Sequence, residues 1–228
     1  AQDGSPILLI LYMDNMLLSD RHAGELATHI RELQLKFALK DLGLAQHVLK
    51  VKISLLQNQR QLFLSQADYI KHVLECFNMQ SVKSAWTPLP INLRLAQCDY
   101  PTFGPEGEDM MSVLYAPAVF ALMYVMVATR SDIAHVVGVI NRFIHNPGPL
   151  HWNAVKHVFI SLVGTQDLGI LFVPNKNTSV VGYTNSNFAN HVDNRIQENS
   201  WKSKLQGCTL TSMTEVEYVV HLTQQKRL

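Results

Sequence analysis

The amino-acid sequence predicts an α+β fold, because patterns typical of strands and patterns typical of helices succeed one another along it. Short apolar runs bounded by polar turn residues indicate strands, and apolar residues that recur every three or four positions indicate helices. Of the 228 residues, 47% are hydrophobic and 16% are charged, so the chain can bury a core. The sequence therefore predicts small sheets combined with helices.

The first predicted element is a β-hairpin at the start of the chain. Apolar residues 7–12 and 16–18 flank Met13, Asp14 and Asn15. Aspartate and asparagine tolerate the positive φ of tight turns. We therefore expect Asp14 and Asn15 at the tip of the hairpin.

A helix and a pair of strands are predicted after the hairpin. Residues 21–37 place apolar side chains on one helical face, and residues 48–56 and 61–64 form two strand-like runs across a polar turn. Side chains alternate between the two faces of a strand. Lys50 and Lys52 are therefore expected on the same face of the first of these strands.

The second helix is predicted to begin at Ser65, where Asp68 can complete a cap over free backbone N–H groups. Its buried stripe comprises Tyr69, Ile70, Val73, Leu74 and Phe77. Residues 96–111 then combine proline and glycine with acidic residues, which is typical of a linker. This stretch is the expected internal boundary of the chain.

Three helices and then two strands are predicted beyond the linker. The helices cover residues 113–128, a stretch that starts at Ser131 and a stretch that ends at Gly164. Residues 113–128 are strongly apolar but number only 16, fewer than the about 20 that a membrane-spanning helix needs. We expect a buried helix there and no membrane partner. The strands are expected over residues 168–173 and 179–184.

Charge, cysteine usage and the first residues indicate the cellular setting. Lysine plus arginine number 19 against 18 acids, which argues against a strongly basic nucleic-acid-binding protein but leaves room for a local groove. Cys76, Cys98 and Cys208 show no C-x-x-C spacing and are expected to be unpaired thiols in a reducing compartment. No secretory signal opens the chain. We expect an intracellular product, cytoplasmic or nuclear.

The hairpin tip is the first candidate for chemistry. Two-metal nucleotidyl transfer needs carboxylates that are held rigidly and project into a cleft. Asp14 at the tip of a hairpin satisfies that requirement. A single aspartate in a turn is also ordinary turn chemistry, so this motif alone leaves both interpretations open.

The order of motifs along the whole chain resembles the Pol polyprotein of copia-type retrotransposons. Residues 7–19, ILLILYMDNMLLS, resemble the Y-x-D-D hairpin of reverse transcriptases. The later stretches that follow in the family's order are residues 37–53, 62–79, 87–90, 115–143, 146–158, 182–195, 201–206 and 214–218. Each stretch is weak alone, and their shared order and spacing make the resemblance specific.

The resemblance implies a division of the chain into domains. Residues 1–95 would be a partial reverse-transcriptase palm and thumb, and residues 96–111 the acidic linker. Residues 112–166 would be a helical connection. Residues 167–228 would be an incomplete RNase H-like α/β sheet, truncated at its end. The fragment's expected partners then include other parts of a Pol polyprotein.

The resemblance also implies that the polymerase site has lost a ligand. Asp14 matches the first aspartate of the family motif, two residues after Tyr12, whereas Asn15 occupies the position of the second. Asparagine lacks the negative charge and is a poor ligand for Mg²⁺, the family's metal. The family's third carboxylate lies on an earlier strand that this chain does not contain. We therefore expect Asp14 to be a vestigial metal position and no cofactor to be bound.

The RNase H-like part repeats this pattern of replacement. Where the family has G-Y-x-D-x-D, this chain has Asn185 and Asn187, while Glu217 matches the catalytic glutamate of the first helix. Only five residues separate Arg195 from Trp201, where the family has a further strand. We expect that strand to be lost, and Asn185 and Glu217 to be vestigial positions.

The sequence thus predicts a degenerate, catalytically inactive fragment of a polyprotein whose family polymerises DNA on RNA and hydrolyses RNA–DNA hybrids. A second hypothesis is a non-catalytic module that binds an RNA–DNA hybrid or DNA. Its candidate contact residues are Tyr12, Lys50, Lys52, Trp201, Lys202 and Lys204. Their ordinary alternative is a set of solvated strand ends. A third hypothesis is an enzyme whose missing carboxylates come from another part of the polyprotein.

Overall fold

The computed structural model describes residues 7–20, 22–90, 95, 110 and 112–174, together with the backbone of 184–186, 196–199 and 202–205. The chain divides into two compact units, Ala1–Val48 and Leu49–Leu228. Both contain helices and strands, which confirms the α+β class. The predicted linker 96–111, Trp201 and Glu217 lie outside the described residues, apart from Met110.

The first unit contains the predicted hairpin. Strand β1 (Leu8–Tyr12) pairs antiparallel with β2 (Asn15–Ser19), and Tyr12 lies opposite Asn15. Helix α1 (Ala23–Lys36) follows, and β3 (His47–Val48) is the last element of the unit. The predicted hairpin and the helix over residues 21–37 are confirmed.

The turn of this hairpin differs from its prediction in one respect. Met13 adopts the positive φ, at 49°, and neither Asp14 nor Asn15 does. Because Tyr12 and Asn15 form the last pair of the ladder, only Met13 and Asp14 remain for the turn. Asn15 is therefore a strand residue, and the expectation that it lies at the tip was wrong.

The second unit contributes three neighbouring antiparallel strands to a sheet, in the order β4, β5, β6. Strand β4 (Val51–Leu56) is joined to β5 (Gln61–Ser65) by a 3₁₀ turn, Gln57–Gln59. Strand β6 (Gly169–Phe172) pairs with β5, so that Ser65 faces Gly169. A Cβ at Gly169 would lie 2.2 Å from the backbone oxygen of Leu64, so this approach requires glycine.

Two sequence-based expectations about this sheet need revision. The predicted strand 48–56 is interrupted, because Leu49 and Lys50 have left-handed φ values of 51° and 58°. Lys50 therefore lies in a turn and does not share a strand face with Lys52. Strand β6, which we expected to open a separate domain at residue 167, instead extends the sheet of β4 and β5.

Four helices accompany this sheet among the described residues of the second unit. They are α2 (Ala67–Cys76), α3 (Tyr115–Ala128), α4 (Ala134–Asn141) and α5 (Pro149–Val163). Pro149 stands in the first turn of α5, where its missing N–H costs no hydrogen bond, and Gly164 caps the other end. None of the described helices combines the length and the apolar character needed to cross a membrane.

The hydrophobic core is formed where these helices meet. Apolar side chains of all four are fully buried, among them Ile70, Leu74, Val119, Leu122, Ile140, Val158 and Phe159. The hydroxyl of Tyr115 donates a hydrogen bond of 2.7 Å to the carbonyl oxygen of Ile140 and so links α3 to α4. The apolar stripes predicted for these helices are confirmed.

Buried polar residues at the end of α3 connect the helices to each other and to the start of α2. The guanidinium of Arg130 is 3% exposed and donates two bonds to the Asp132 carboxylate and two to oxygens of Thr165. The hydroxyl of Thr129 donates to the side-chain oxygen of Gln66 at 2.8 Å. Because a buried polar group needs partners, these contacts fix how α3 ends.

A three-stranded antiparallel sheet is described near the end of the chain, in the order β7 (Thr184–Ser186), β8 (Ile196–Asn199), β9 (Lys202–Leu205). Strand β8 lies in the interval between Arg195 and Trp201 where we expected a strand to be missing, so that expectation was wrong. The sequence of β8, IQEN, has one apolar residue and gave no strand signal.

Candidate functional site

The hairpin tip presents a single carboxylate. Asp14 is exposed in the turn, and the neighbouring Asn15 begins β2 opposite Tyr12, where its side chain is also exposed. The next acid, Asp20, follows the far end of β2 and accepts a 2.9 Å hydrogen bond from the backbone N–H of His22. Asp20 therefore helps to begin α1 and does not supply a second ligand at the tip.

The arrangement at the tip does not fit the pair of metal ions that nucleotidyl transfer requires. Within the parts of the chain that the structure describes, no three His, Cys, Asp or Glu side chains are grouped as metal ligands. The amide of Asn15 carries no negative charge to offset a divalent cation. Asp14 alone can attract a cation from solvent, but the described residues do not build a two-metal site.

A cluster of side chains that the sequence did not predict surrounds the turn before β4. Both residues of this turn, Leu49 and Lys50, are exposed. The hydroxyl of Tyr124 donates a hydrogen bond to the carbonyl oxygen of Leu49, and the Lys50 ammonium lies 5.2 Å from the centre of the Tyr69 ring. The two tyrosine rings meet edge to face, with their centres 5.1 Å apart.

The charges of this cluster favour a bound anion over a bound cation. Burial raises the pKa of the Tyr69 hydroxyl, and the neighbouring Tyr124 and Cys76 raise it further. Tyr69 is therefore neutral at physiological pH, and the exposed Lys50 and Lys52 are the charged groups at the start of β4. An ammonium over an aromatic face keeps its hydrogen-bond donors available.

The predicted RNase H-like positions are only partly within the described backbone. Asn185 is the central residue of β7 and lies opposite Glu198 of β8. Lys202 and Lys204 alternate along β9, opposite Asn199 and Gln197. The structure does not bring Asn185 together with Glu217, which lies outside the described residues. Sequence reasoning missed Glu198, because it assigned no strand to that interval.

Cys76 is the cysteine that the described residues include. It is exposed, forms no disulfide, and its sulfur lies 3.7 Å from Nε2 of His72 one turn earlier in α2. This confirms the predicted free thiol at this position. Cys98 and Cys208 lie outside the described residues.

Comparison with known proteins identifies the family. The reverse transcriptase (RNA-dependent DNA polymerase) family matches residues 1–91. The chain is 42% identical over 224 residues to the retrovirus-related Pol polyprotein from transposon TNT 1-94 of Nicotiana tabacum, an alignment that covers 93% of this chain and 17% of that protein. The chain therefore belongs to the Pol polyproteins of copia-type retrotransposons, with reverse-transcriptase sequence in its first part.

Two proteins that are shorter than the transposon polyprotein are also similar to this chain. The secreted RxLR effector protein 161 of Plasmopara viticola is 38% identical over 121 residues, which cover 48% of this chain and 85% of that protein. An uncharacterized mitochondrial protein of Arabidopsis thaliana is 29% identical over 223 residues, which cover 92% of this chain and 88% of that protein. No solved structure matches the chain significantly.

The chain spans about a sixth of the length of the transposon polyprotein that it matches, 17%. Membership of the family therefore does not assign the activity, substrates and partners of a whole polyprotein to this chain.

Proposed function

We propose that this chain is a catalytically inactive form of the reverse-transcriptase and RNase H parts of a Pol polyprotein. The observation that carries the proposal is Asn15, which follows Asp14 at the hairpin tip and replaces the second carboxylate of the family motif. Two-metal phosphoryl transfer depends on carboxylates that neutralise and place both ions. One charge at the tip leaves the second ion without a ligand.

Asn185 supports the same conclusion in the RNase H-like part. It stands in β7 where the family has its first aspartate, and an amide again replaces a carboxylate. Electrostatic stabilisation is usually the largest single contribution to catalysis. Loss of charge at both positions therefore favours inactivity for polymerisation and for hybrid hydrolysis.

The test is a direct assay of both reactions with Mg²⁺ and with Mn²⁺. Primer extension on an RNA template and hydrolysis of an RNA–DNA hybrid should both stay at background. Asp14→Ala is the informative variant for primer extension and Glu217→Ala is the informative variant for hybrid hydrolysis. Asp167→Ala, which removes an exposed carboxylate elsewhere, is the control for both. Turnover of either reaction that disappears in its informative variant but survives in Asp167→Ala would refute the proposal.

A second candidate function is binding of an RNA–DNA hybrid without catalysis. The exposed Lys50 and Lys52 at the start of β4, beside the aromatic pair Tyr69 and Tyr124, favour it. Hybrids are recognised largely through backbone phosphates and shape, and lysines supply the salt-dependent part of such binding.

Fluorescence anisotropy of a labelled hybrid at low and at physiological salt tests this candidate. We expect a Kd of about 1–100 μM that weakens as salt rises, in the range of non-specific complexes. Lys50→Glu with Lys52→Glu should abolish binding at physiological salt. Lys71→Glu with Lys156→Glu, which changes the net charge equally at residues of α2 and α5, is the control. Equal loss in both pairs would indicate only a general charge effect.

A further inference from the structure

The two residues that precede β4 are both held in the left-handed region. Leu49 has φ of 51° and Lys50 has φ of 58°. A Cβ disfavours this conformation, and glycine, asparagine and aspartate adopt it far more readily than leucine or lysine. Two such residues in succession have the backbone geometry of a type I′ turn, here between β3 and β4. Leucine and lysine are not the residues that favour this turn, so contacts around it are expected to help to hold it.

Each left-handed residue has its own contact with a tyrosine. The Tyr124 hydroxyl donates to the carbonyl oxygen of Leu49, and the Tyr69 ring lies beneath the Lys50 ammonium at 5.2 Å. The rings of Tyr69 and Tyr124 are perpendicular, with centres 5.1 Å apart. This edge-to-face contact holds the two rings together, so that both tyrosines together stabilise the turn.

The support is anchored in the hydrophobic core. Tyr69 precedes the fully buried Ile70 in α2, and Tyr124 precedes the fully buried Val125 in α3. The core therefore fixes the backbone positions of both tyrosines. The exposed turn rests against rigid groups, although its own residues are not buried.

We propose that Tyr124, supported by Tyr69, is a positioning residue that keeps Leu49 and Lys50 left-handed and thereby fixes where the Lys50 ammonium meets a nucleic-acid phosphate. The effect on affinity rests on the proposed binding function, whereas the effect on the turn does not. A contact group that is ordered before binding loses less conformational entropy when the complex forms. The hydroxyl of Tyr124 thus contributes to affinity without touching the ligand.

The conformational part is tested with Tyr124→Phe, which removes the hydroxyl and keeps the ring. The intraresidue HN–Hα NOE, which is strong at positive φ, should weaken at Leu49 and Lys50. Trypsin cleavage after Lys50 should accelerate about tenfold relative to cleavage after Lys71, since proteolysis needs the turn to open. Tyr115→Phe, which removes another hydroxyl from α3, should leave both readouts at this turn unchanged.

A rescue variant separates positioning from simple packing. Glycine adopts positive φ without steric cost, so Leu49→Gly in the Tyr124→Phe background should restore the NOE at Lys50 and slow the cleavage again. If Tyr124→Phe instead loosened the packing around the turn in general, the glycine would restore neither readout. An unchanged NOE and unchanged cleavage in Tyr124→Phe would overturn the proposal outright.

The functional part is tested by hybrid anisotropy on the same variants at low salt. Tyr124→Phe should raise Kd about two- to tenfold, the usual effect of leaving one long side chain disordered, and Leu49→Gly should reverse the change. If the NOE changes but Kd does not, the turn is not positioned for binding and the inference is refuted. If the wild-type chain binds no hybrid, the binding function fails, while the NOE and cleavage results still decide whether Tyr124 holds the turn.

Discussion

At the scale of residues, one buried hydroxyl group, that of Tyr115, connects two helices and is expected to make the stability of the protein depend on pH. The hydroxyl of Tyr115 is buried between α3 and α4, where it donates to the carbonyl oxygen of Ile140. Burial strongly raises the pKa of Tyr115 above its ordinary value of 10.0, because an anion would lose its hydration and could not donate this bond.

The raised pKa predicts that the protein loses stability in alkali. A group whose folded pKa exceeds its unfolded pKa contributes stability that is complete below the unfolded value and is lost as pH rises toward the folded one. The free energy of unfolding should therefore fall above about pH 10, by up to ~1.4 kcal/mol per pH unit for Tyr115. Tyr69, whose pKa is also raised by burial, adds to this slope.

Tyr115→Phe separates the two effects of this hydroxyl. At pH 7 the variant should be less stable by about 1 kcal/mol, because the carbonyl oxygen of Ile140 loses its donor. Above pH 10 its stability should fall less steeply than that of the wild type. Urea denaturation at pH 7 and at several values above pH 10 measures both quantities. Parallel pH profiles for the two proteins would show that Tyr115 does not carry the effect.

At the scale of elements, the end of α3 is held by the charged guanidinium of Arg130, which is buried away from water. Arg130 is 3% exposed, while its partner Asp132 is 55% exposed at the side chain. Removing the more exposed partner leaves the guanidinium buried and without its counter-ion. Asp132 is therefore expected to be a sensitive site although its side chain is largely exposed.

Asp132→Ala is expected to destabilise the protein by about 1.5–3 kcal/mol, the range for hydrogen bonds to charged groups. Asp167→Ala removes an exposed acid a short distance beyond α5 and should change stability by less than about 0.5 kcal/mol. Thermal and urea unfolding of the two variants provide the comparison. If both variants lose equally little stability, the hydrogen bonds from Arg130 to Thr165 are sufficient to stabilise the buried guanidinium.

Helices were predicted better from the sequence than the turn before β4 and strand β8, for a physical reason. Helices such as α5 were predicted well, because their apolar stripe and the end at Gly164 are local signals. The break before β4 was not predicted, because leucine and lysine carry no preference for positive φ and the contacts that hold them come from distant helices. Strand β8 was missed because its four residues include one apolar side chain.

The candidate sites show the same division between local and tertiary information. The position of Asp14 in a hairpin turn was predicted, since two apolar runs around a polar centre are a local pattern. The cluster of Lys50, Tyr69 and Tyr124 combines a turn with two helices and has no sequence signature. The vestigial catalytic role predicted for Glu217 stays a prediction.

At the scale of the whole molecule, the two units differ in how much apolar surface they bury. The second unit has a core to which four helices contribute. In the first unit α1 has no buried residue, and the side chains of β1 are between 45% and 65% exposed. Among the described residues β1 pairs with β2 alone. Its uncharged sequence LLILY lacks the lysines and prolines that usually protect an edge strand.

An exposed, uncharged and apolar edge strand is expected to drive self-association of the isolated chain. Leu9→Lys places a charge within β1 and should slow the rise of light scattering severalfold at the same protein concentration. Leu150→Lys is the matched control, because Leu150 in α5 is 47% exposed and Leu9 is 46% exposed. If both lysines suppress scattering equally, association depends on net charge. If only Leu9→Lys does so, it proceeds through the edge of β1.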